Sequence, residues 1–230
     1  MFRLETGTLL ALMDRHQVDR AVISPVGRHV VVANHEGNDF MAAAVREAPD
    51  RLIGLASVNP WYGAAGVDEL RRALDRGLRG LKMHPPLQGV TADDLLWDPL
   101  LAVCAQAGAP VLTHSGLYMH SELHAIAALA RRHPRVMIIA GHMGFTDGWF
   151  DLAGAADGAK NLLFETSYVW GDLITHLVGK IGHRRLLFGS GIPRSDYRTE
   201  LSKLQRLPLT AEQRAAIMAD NALALWKIKQ

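Results

Sequence analysis

Apolar residues gather along the chain in short uninterrupted runs, at Arg20–Ser24, Arg51–Val58, Leu78–Met83, Ala109–Thr113, Val136–Ala140, Asn161–Thr166 and Arg185–Gly189. These runs lack the apolar–polar alternation of a half-exposed strand. They predict strands covered on both faces, as in a parallel sheet. Their starts lie about 23–31 residues apart, the length of one strand-plus-helix unit. Between them run patterns of helical period, at Thr8–His16, Phe40–Ala48, Val67–Arg76, Leu95–Ala107, Ser121–Arg132, Trp149–Ala156 and Leu173–Ile181. A last helix over Thr210–Trp226 opens on Thr210 with Gln213 three residues on, the signature of a capping box. Strand and helix alternate throughout, which predicts an α/β fold with a parallel sheet. The pattern fits a TIM-type (β/α)8 barrel in one domain over residues 1–230, with its first strand short or missing. Only Met1–Glu5 precedes the first helix, and Phe2–Leu4 would make a very short strand. An open doubly wound sheet is the competing layout, but no Gly-rich phosphate fingerprint follows any strand.

Composition narrows the function classes. The chain has 230 residues, 49% hydrophobic and 21% charged, with a formal net charge of +2. No basic stripe stands out, which argues against a nucleic-acid partner. No run of about 18 apolar residues exists, so no membrane partner is expected. Met1–Glu5 is too short and too charged for a signal peptide. With one cysteine, Cys104, no intramolecular disulfide can form. A cytoplasmic setting is the expectation.

In either parallel layout ligands bind at the C-terminal ends of the strands. Those ends carry Lys82 and His84, His114, His142, Glu165, and Ser190 with Arg194 beyond it. One histidine after one strand is usually a packing residue. Three at matching ends of neighbouring strands point to a shared site, with the imidazoles within roughly 10 Å of one another. Converging imidazoles suit zinc or another borderline divalent ion, which would make hydroxide available near neutrality. Glu165 is a candidate ligand or general base, or a paired structural charge. Lys82 is a candidate cation facing substrate, or a salt-bridge partner. Trp61, Tyr118, Tyr168 and Trp170 lie just past strand ends, where they would line a pocket for a small molecule or pack its rim. His29 and His35 fall in the loop after the Arg20–Ser24 strand. His120 and His124 sit four apart without the Glu of a zinc-protease motif.

Gly80-Leu81-Lys82-Met83-His84-Pro85, Thr113-His114-Ser115-Gly116, Gly141-His142-Met143-Gly144, Leu187-Phe188-Gly189-Ser190 with Pro193, and Asp220-Asn221-Ala222 together resemble the amidohydrolase-2 family of metal-dependent hydrolases. That family includes aminocarboxymuconate-semialdehyde and γ-resorcylate decarboxylases. The resemblance runs from Thr8 to Leu225 and implies a (β/α)8 barrel that hydrolyses C–N, C–O or C–C bonds or decarboxylates without oxidation. It implies one or two divalent metals, often zinc. His114 matches a metal ligand, and His142 matches a histidine that binds metal or contacts substrate. Two departures stand out. The His-X-His pair of the family's first strand has no counterpart here, and the Asp after its eighth strand is replaced by Gly191, with Asp196 the next acid along.

These readings converge on an amidohydrolase-type hydrolase or carboxy-lyase with a modified site. Catalytic roles are expected for His114, His142, Glu165 and Lys82. Substrate contacts are expected for His84, Tyr168, Trp170, Trp61, Ser190 and Arg194. The metal set would be His114, His142 and His84, with zinc if any and weak or absent binding expected. The alternative is an inactive barrel that binds a small molecule or a partner protein. A stub first strand would leave part of a gap open, so a homodimer is expected.

Overall fold

The computed structural model describes residues 4–116, 119–145 and 152–228. Phe2 and Arg3 of the expected stub strand, Tyr118, and the start of the expected Trp149–Ala156 helix lie outside the described residues. Leu4 and Glu5 are not in a strand. The chain forms two compact units, one of Met1–Met83 with Leu96–Ala109, the other of His84–Leu95 with Pro110–Gln230.

The first unit carries β1 (Ala21–Ile23), β2 (Leu52–Gly54), β3 (Ala56–Ser57) and β4 (Leu81–Met83). The single apolar run at Arg51–Val58 thus becomes two strands. β2 pairs in parallel with β1 and β3 in parallel with β4. The change of partner falls at Leu55, whose N–H donates to the Ile23 carbonyl at 2.8 Å, while the next amide, Ala56, donates to Gly80 at 2.8 Å. Leu52, Leu55, Ala56 and Leu81 are buried, as strands covered on both faces require. Helices Thr6–Arg15, Asn34–Glu47, Gly63–Asp75 and Asp98–Ala107 accompany them. The helix expected from Phe40 begins at Asn34, because Asn34 and Asn38 are buried polar side chains with work to do. Asn38 Oδ1 accepts from the Ser57 amide at 2.8 Å, and Asn34 Oδ1 from the Asn59 amide at 2.7 Å. They satisfy backbone amides at the end of β3 and just beyond it. His29 and His35 are therefore helical rather than loop residues, and His35 Nδ1 lies 2.8 Å from Glu69.

The second unit carries β5 (Val111–His114), β6 (Ile138–Gly141), β7 (Leu162–Glu165) and β8 (Leu186–Leu187), parallel and in that order. Helices Leu123–Arg132, Leu152–Gly158 and Gly171–Ile181 connect them. Ile138, Leu162, Phe164 and Leu186 are fully buried, each worth about 1.5–3 kcal/mol of transfer. Near the strand starts, side chains bind loop carbonyls. Asn161 Nδ2 donates to Ala130, His133 and Val136, and the Arg185 guanidinium donates to Ala156, Ala159 and Leu162. Such ties at the N-terminal ends serve stability and leave the C-terminal ends for ligands.

The structure differs from expectation at two further points. The last helix is Ala211–Ala215 and Asn221–Leu225 with a π-turn over Ala216–Asp220 between them. The Phe188 amide just past β8 donates to the Ile217 carbonyl at 2.8 Å. The π-turn thus carries the carbonyl that serves the chain leaving β8. The capping box at Thr210 and Gln213 forms as expected. A further helix, Tyr197–Arg206, arises where none was expected. Asp196 caps it, its side chain accepting from the Thr199 amide at 2.7 Å.

Candidate functional site

The site lies in the second unit, at the ends of its parallel strands. His114 is the last residue of β5, His142 follows the last residue of β6, and Glu165 ends β7. The register pairs His114 with Gly141 and Ala140 with Phe164. Adjacent strands are about 4.8 Å apart, so side chains that leave neighbouring ends meet. The His114 and His142 ring centroids lie 5.0 Å apart. His84 joins them from the Pro85–Gln88 turn, its amide held by Gln88 Oε1 at 2.7 Å. Its ring stacks on His114 with centroids 4.2 Å apart and planes 6° from parallel. The three imidazoles converge within the distance expected from the strand ends.

Glu165 is built into the backbone around it. Its Oε1 accepts from the Ser167 amide at 2.6 Å, and its Oε2 accepts from the His142 amide at 3.1 Å and from Ser167 Oγ at 2.9 Å. His142 Nδ1 lies 2.7 Å from Ser167 Oγ and 3.4 Å from Glu165 Oε2. Gly189, just beyond β8, makes this arrangement possible: a Cβ there would stand 1.4 Å from Glu165 Oε1. Only a residue without a side chain lets the carboxyl lie against the chain.

Tyr168 closes one side. Its ring centroid is 5.0 Å from that of His142 and 6.1 Å from that of Phe145. Its hydroxyl donates to the Gly191 carbonyl at 2.5 Å. Gly191 has φ +63, and a Cβ on it would approach the phenol to 2.6 Å. The tyrosine ring thus fills the space in front of residue 191. Burial raises the Tyr168 phenol above its ordinary value, the Arg194 charge offsets part of that, and Glu165 and Glu200 add to it. The hydroxyl therefore stays a donor throughout the physiological range. His142 (φ 68), Met143 (φ 48), Phe145 (φ 41) and Tyr168 (φ 62) all adopt the left-handed region. Such non-glycine residues cost free energy and cluster at functional sites.

The other residues singled out from the sequence fall in different places. Lys82 and Trp61 belong to the first unit; Lys82 is half-buried on β4 and Trp61 is 60% exposed in the Pro60–Tyr62 turn. Trp170 is 68% exposed at the N-cap of the Gly171–Ile181 helix. Ser190 is half-buried, and Arg194 is exposed with its charge felt at Tyr168. Asp196 is engaged in its helix cap. Sequence reasoning did not single out Ser167, Gly189 or Glu200. Glu200 Oε1 accepts from the Tyr168 amide at 3.2 Å, and its partner Lys203 donates to the Thr166 carbonyl at 2.7 Å. The signal for Ser167 was its place two residues after Glu165, on the same side of an extended segment. Asp196 with Thr199 was the signal for the helix that carries Glu200.

The histidine trio does not fit a shared metal ion. An imidazole coordinates through a lone pair in its ring plane, at about 2.0–2.1 Å for zinc. The parallel His84 and His114 planes cannot both contain one ion at that distance. Glu165, beside the rings, already accepts from two amides and a hydroxyl. Among the described residues no three His, Cys, Asp or Glu side chains are arranged to hold a metal. The expected set of His84, His114 and His142 is thus brought together, but as a stack and an edge contact.

A protein-family model described as Amidohydrolase matches residues 5–228. The 2-amino-3-carboxymuconate-6-semialdehyde decarboxylase of Dictyostelium discoideum is 36% identical over 78 residues, which make up 34% of this chain and 22% of that protein. The chain covers less than half the length of the curated relatives it matches, with 43% for another of them. A 5-carboxyvanillate decarboxylase from Novosphingobium aromaticivorans DSM 12444, crystallised with manganese and 4-hydroxy-3-methoxy-5-nitrobenzoic acid, superposes with a TM-score of 0.83 at 19% identity, over 97% of this chain and 81% of that one. The 2,6-dihydroxybenzoate decarboxylase from Rhizobium superposes with a TM-score of 0.76 at 21% identity, over 96% of this chain and 88% of that one. These likenesses show the fold, parallel α/β of the TIM-barrel class.

Proposed function

The chain belongs to the amidohydrolase family, and we propose on that premise that it is a carboxy-lyase. Its substrate class is a small hydroxylated aromatic carboxylate, and His142 moves the proton. The observation that carries this reading is the convergence of His84, His114 and His142 at the ends of parallel strands, with His142 backed by Ser167 and Glu165. The rings of Tyr168 and Phe145 beside His142 supply flat apolar walls for an aromatic ligand. Arg194 at the rim supplies a cation for its carboxylate.

In the reaction His142, as the imidazolium, delivers its Nε2 proton to the ring carbon that bears the carboxylate and is left as the neutral Nδ1–H form. The C–C bond then breaks, its electrons return to the ring, carbon dioxide leaves, and solvent restores the proton. Manganese sits in the relative from Novosphingobium. The residues of this site do not fit such an ion, and no step above uses one. The sequence also raised hydrolysis as an outcome; the named activities of the relatives favour decarboxylation. The same reading takes a homodimer in a reducing, cytoplasmic compartment as the working form. Exposed Val26, Val32, Phe40 and Tyr62 support the assembly, and light scattering tests it.

The function is tested by incubating the purified chain with a panel of hydroxybenzoates, with chelator and with added manganese, and measuring carbon dioxide and product. Turnover that survives chelator and falls about 10²-fold or more in His142→Asn is expected. No turnover on any member of the panel, or His142→Asn at the wild-type rate, overturns the reading. Turnover only with stoichiometric manganese overturns its metal-free part.

A further inference from the structure

Ser167 is 1% exposed and stands between an imidazole and a carboxylate. Its hydroxyl has one proton to give. Glu165 Oε2, 2.9 Å away, is surrounded by donors: the His142 amide at 3.1 Å on the same oxygen and the Ser167 amide at 2.6 Å on the other. A carboxylate so placed is an acceptor, so Ser167 spends its proton there. The remaining contact, 2.7 Å to His142 Nδ1, is then satisfied only if Nδ1 carries the hydrogen. The 3.4 Å approach of Glu165 Oε2 to the same nitrogen favours the same state.

We propose that Ser167 is a positioning residue that holds neutral His142 in its Nδ1–H tautomer and so turns the Nε2 lone pair toward ligand. The role follows from local structure. Glu165 and Ser167 lie two residues apart at the end of β7, where extended backbone puts them on one side. The left-handed conformations at His142 and Tyr168 bracket the contact, and Ser167 is too buried for water to take its place. The other tautomer would set the Nδ1 lone pair against the Ser167 oxygen with no proton between them, or take the serine proton from Glu165. An unsatisfied buried pair of this kind is disfavoured enough to hold the tautomer equilibrium about fivefold or more to one side. The mechanistic importance rests on the reading of His142 as proton carrier. The tautomer itself does not, and it can be measured without any substrate.

The test is a long-range proton–nitrogen correlation spectrum of the full chain labelled with 15N histidine, at about pH 8.5 where an ordinary histidine is neutral. His142 is assigned by the signal lost in His142→Asn. A protonated Nδ1 and a bare Nε2 are expected in the wild type. Ser167→Ala should move His142 toward the Nε2–H form or an even mixture, and Ser167→Thr, which keeps the hydroxyl, should restore the wild-type pattern. A wild-type Nε2–H signal overturns the proposal with no variant needed, and so does an unchanged tautomer in a folded Ser167→Ala. A confirmed Nδ1–H tautomer in a chain that decarboxylates nothing would instead sink only the proposed reaction.

Discussion

Gly189→Ala tests the site with a single methyl group. Gly189 does not have a positive φ, so alanine fits the backbone there. Entropy alone would make the variant about 0.4–1 kcal/mol more stable. The geometry predicts the opposite sign, because the new Cβ would lie 1.4 Å from Glu165 Oε1, 2.2 Å from Cδ and 2.9 Å from Cγ. No flexible tip can give way alone, so the whole carboxyl must leave. It then forfeits hydrogen bonds from the Ser167 amide, the Ser167 hydroxyl and the His142 amide. Hydrogen bonds to charged groups are worth about 1.5–3 kcal/mol each. Allowing for partial recovery in water and the backbone gain, the net loss is about 2–4 kcal/mol. For a chain of this size that lowers Tm by roughly 5–15 °C. The assay is thermal and urea unfolding of wild type, Gly189→Ala, Glu165→Ala and the double variant. With Glu165 already truncated, the methyl has room, so the double variant should resemble Glu165→Ala. The coupling should exceed about 1.5 kcal/mol. A Gly189→Ala protein as stable as the wild type, or losses that simply add, would show that the carboxylate does not lie where the argument needs it.

Two further outcomes are expected. Gly191→Ala meets the Tyr168 ring at 2.6 Å and places a side chain at φ +63; it should cost about 2–3 kcal/mol in urea unfolding, falling to the backbone part alone in a Tyr168→Ala background. In the first unit, burial pushes Glu69 up, but hydrogen bonds from Arg72, Asn38 and His35 outweigh it and hold the carboxyl at about 2 against an ordinary 4.5. A depressed carboxyl adds stability that is fully present above the unfolded value and is lost as pH falls through the folded one. Wild type should therefore lose stability between about pH 4.5 and pH 2. Glu69→Gln should be less stable at pH 7 and show a flatter acid limb, measured by circular dichroism across pH; an identical limb would refute the assignment.

The strands were legible because buried parallel strands are written as apolar runs, and all seven runs contain strand. What the runs could not show was the change of partner at Leu55, since a residue buried at 0% looks the same whichever neighbour its amide serves. The π-turn at Ala216–Asp220 was hidden for a similar reason. The Phe188 amide that its Ile217 carbonyl serves lies some thirty residues away in a different element. The start of the helix at Asn34 was hidden because buried asparagines read as turn residues until the backbone amides they satisfy are known.

In the site, the legible part was the set of residues with strong chemistry. His84, His114, His142 and Glu165 announce themselves by type and by position after an apolar run. The residues that make them work are chemically plain. Ser167 matters through one proton, Gly189 through an absent methyl, and Tyr168 through the space it takes in front of Gly191. The orientation of rings was beyond sequence as well: convergence follows from strand spacing, but the 6° angle between the His84 and His114 planes depends on side-chain rotation that spacing does not set. That angle decides whether the rings can share an ion. Three imidazoles aimed at one point would hold one, whereas two rings stacked 4.2 Å apart and a third whose Nδ1 meets a serine hydroxyl do not. At residue 191 an acid would bring a negative charge toward the rings, and a glycine covered by a phenol donor brings none. The absence of an anion there, the stacking of two imidazoles and the engagement of Glu165 by amides all lower the site's affinity for a cation.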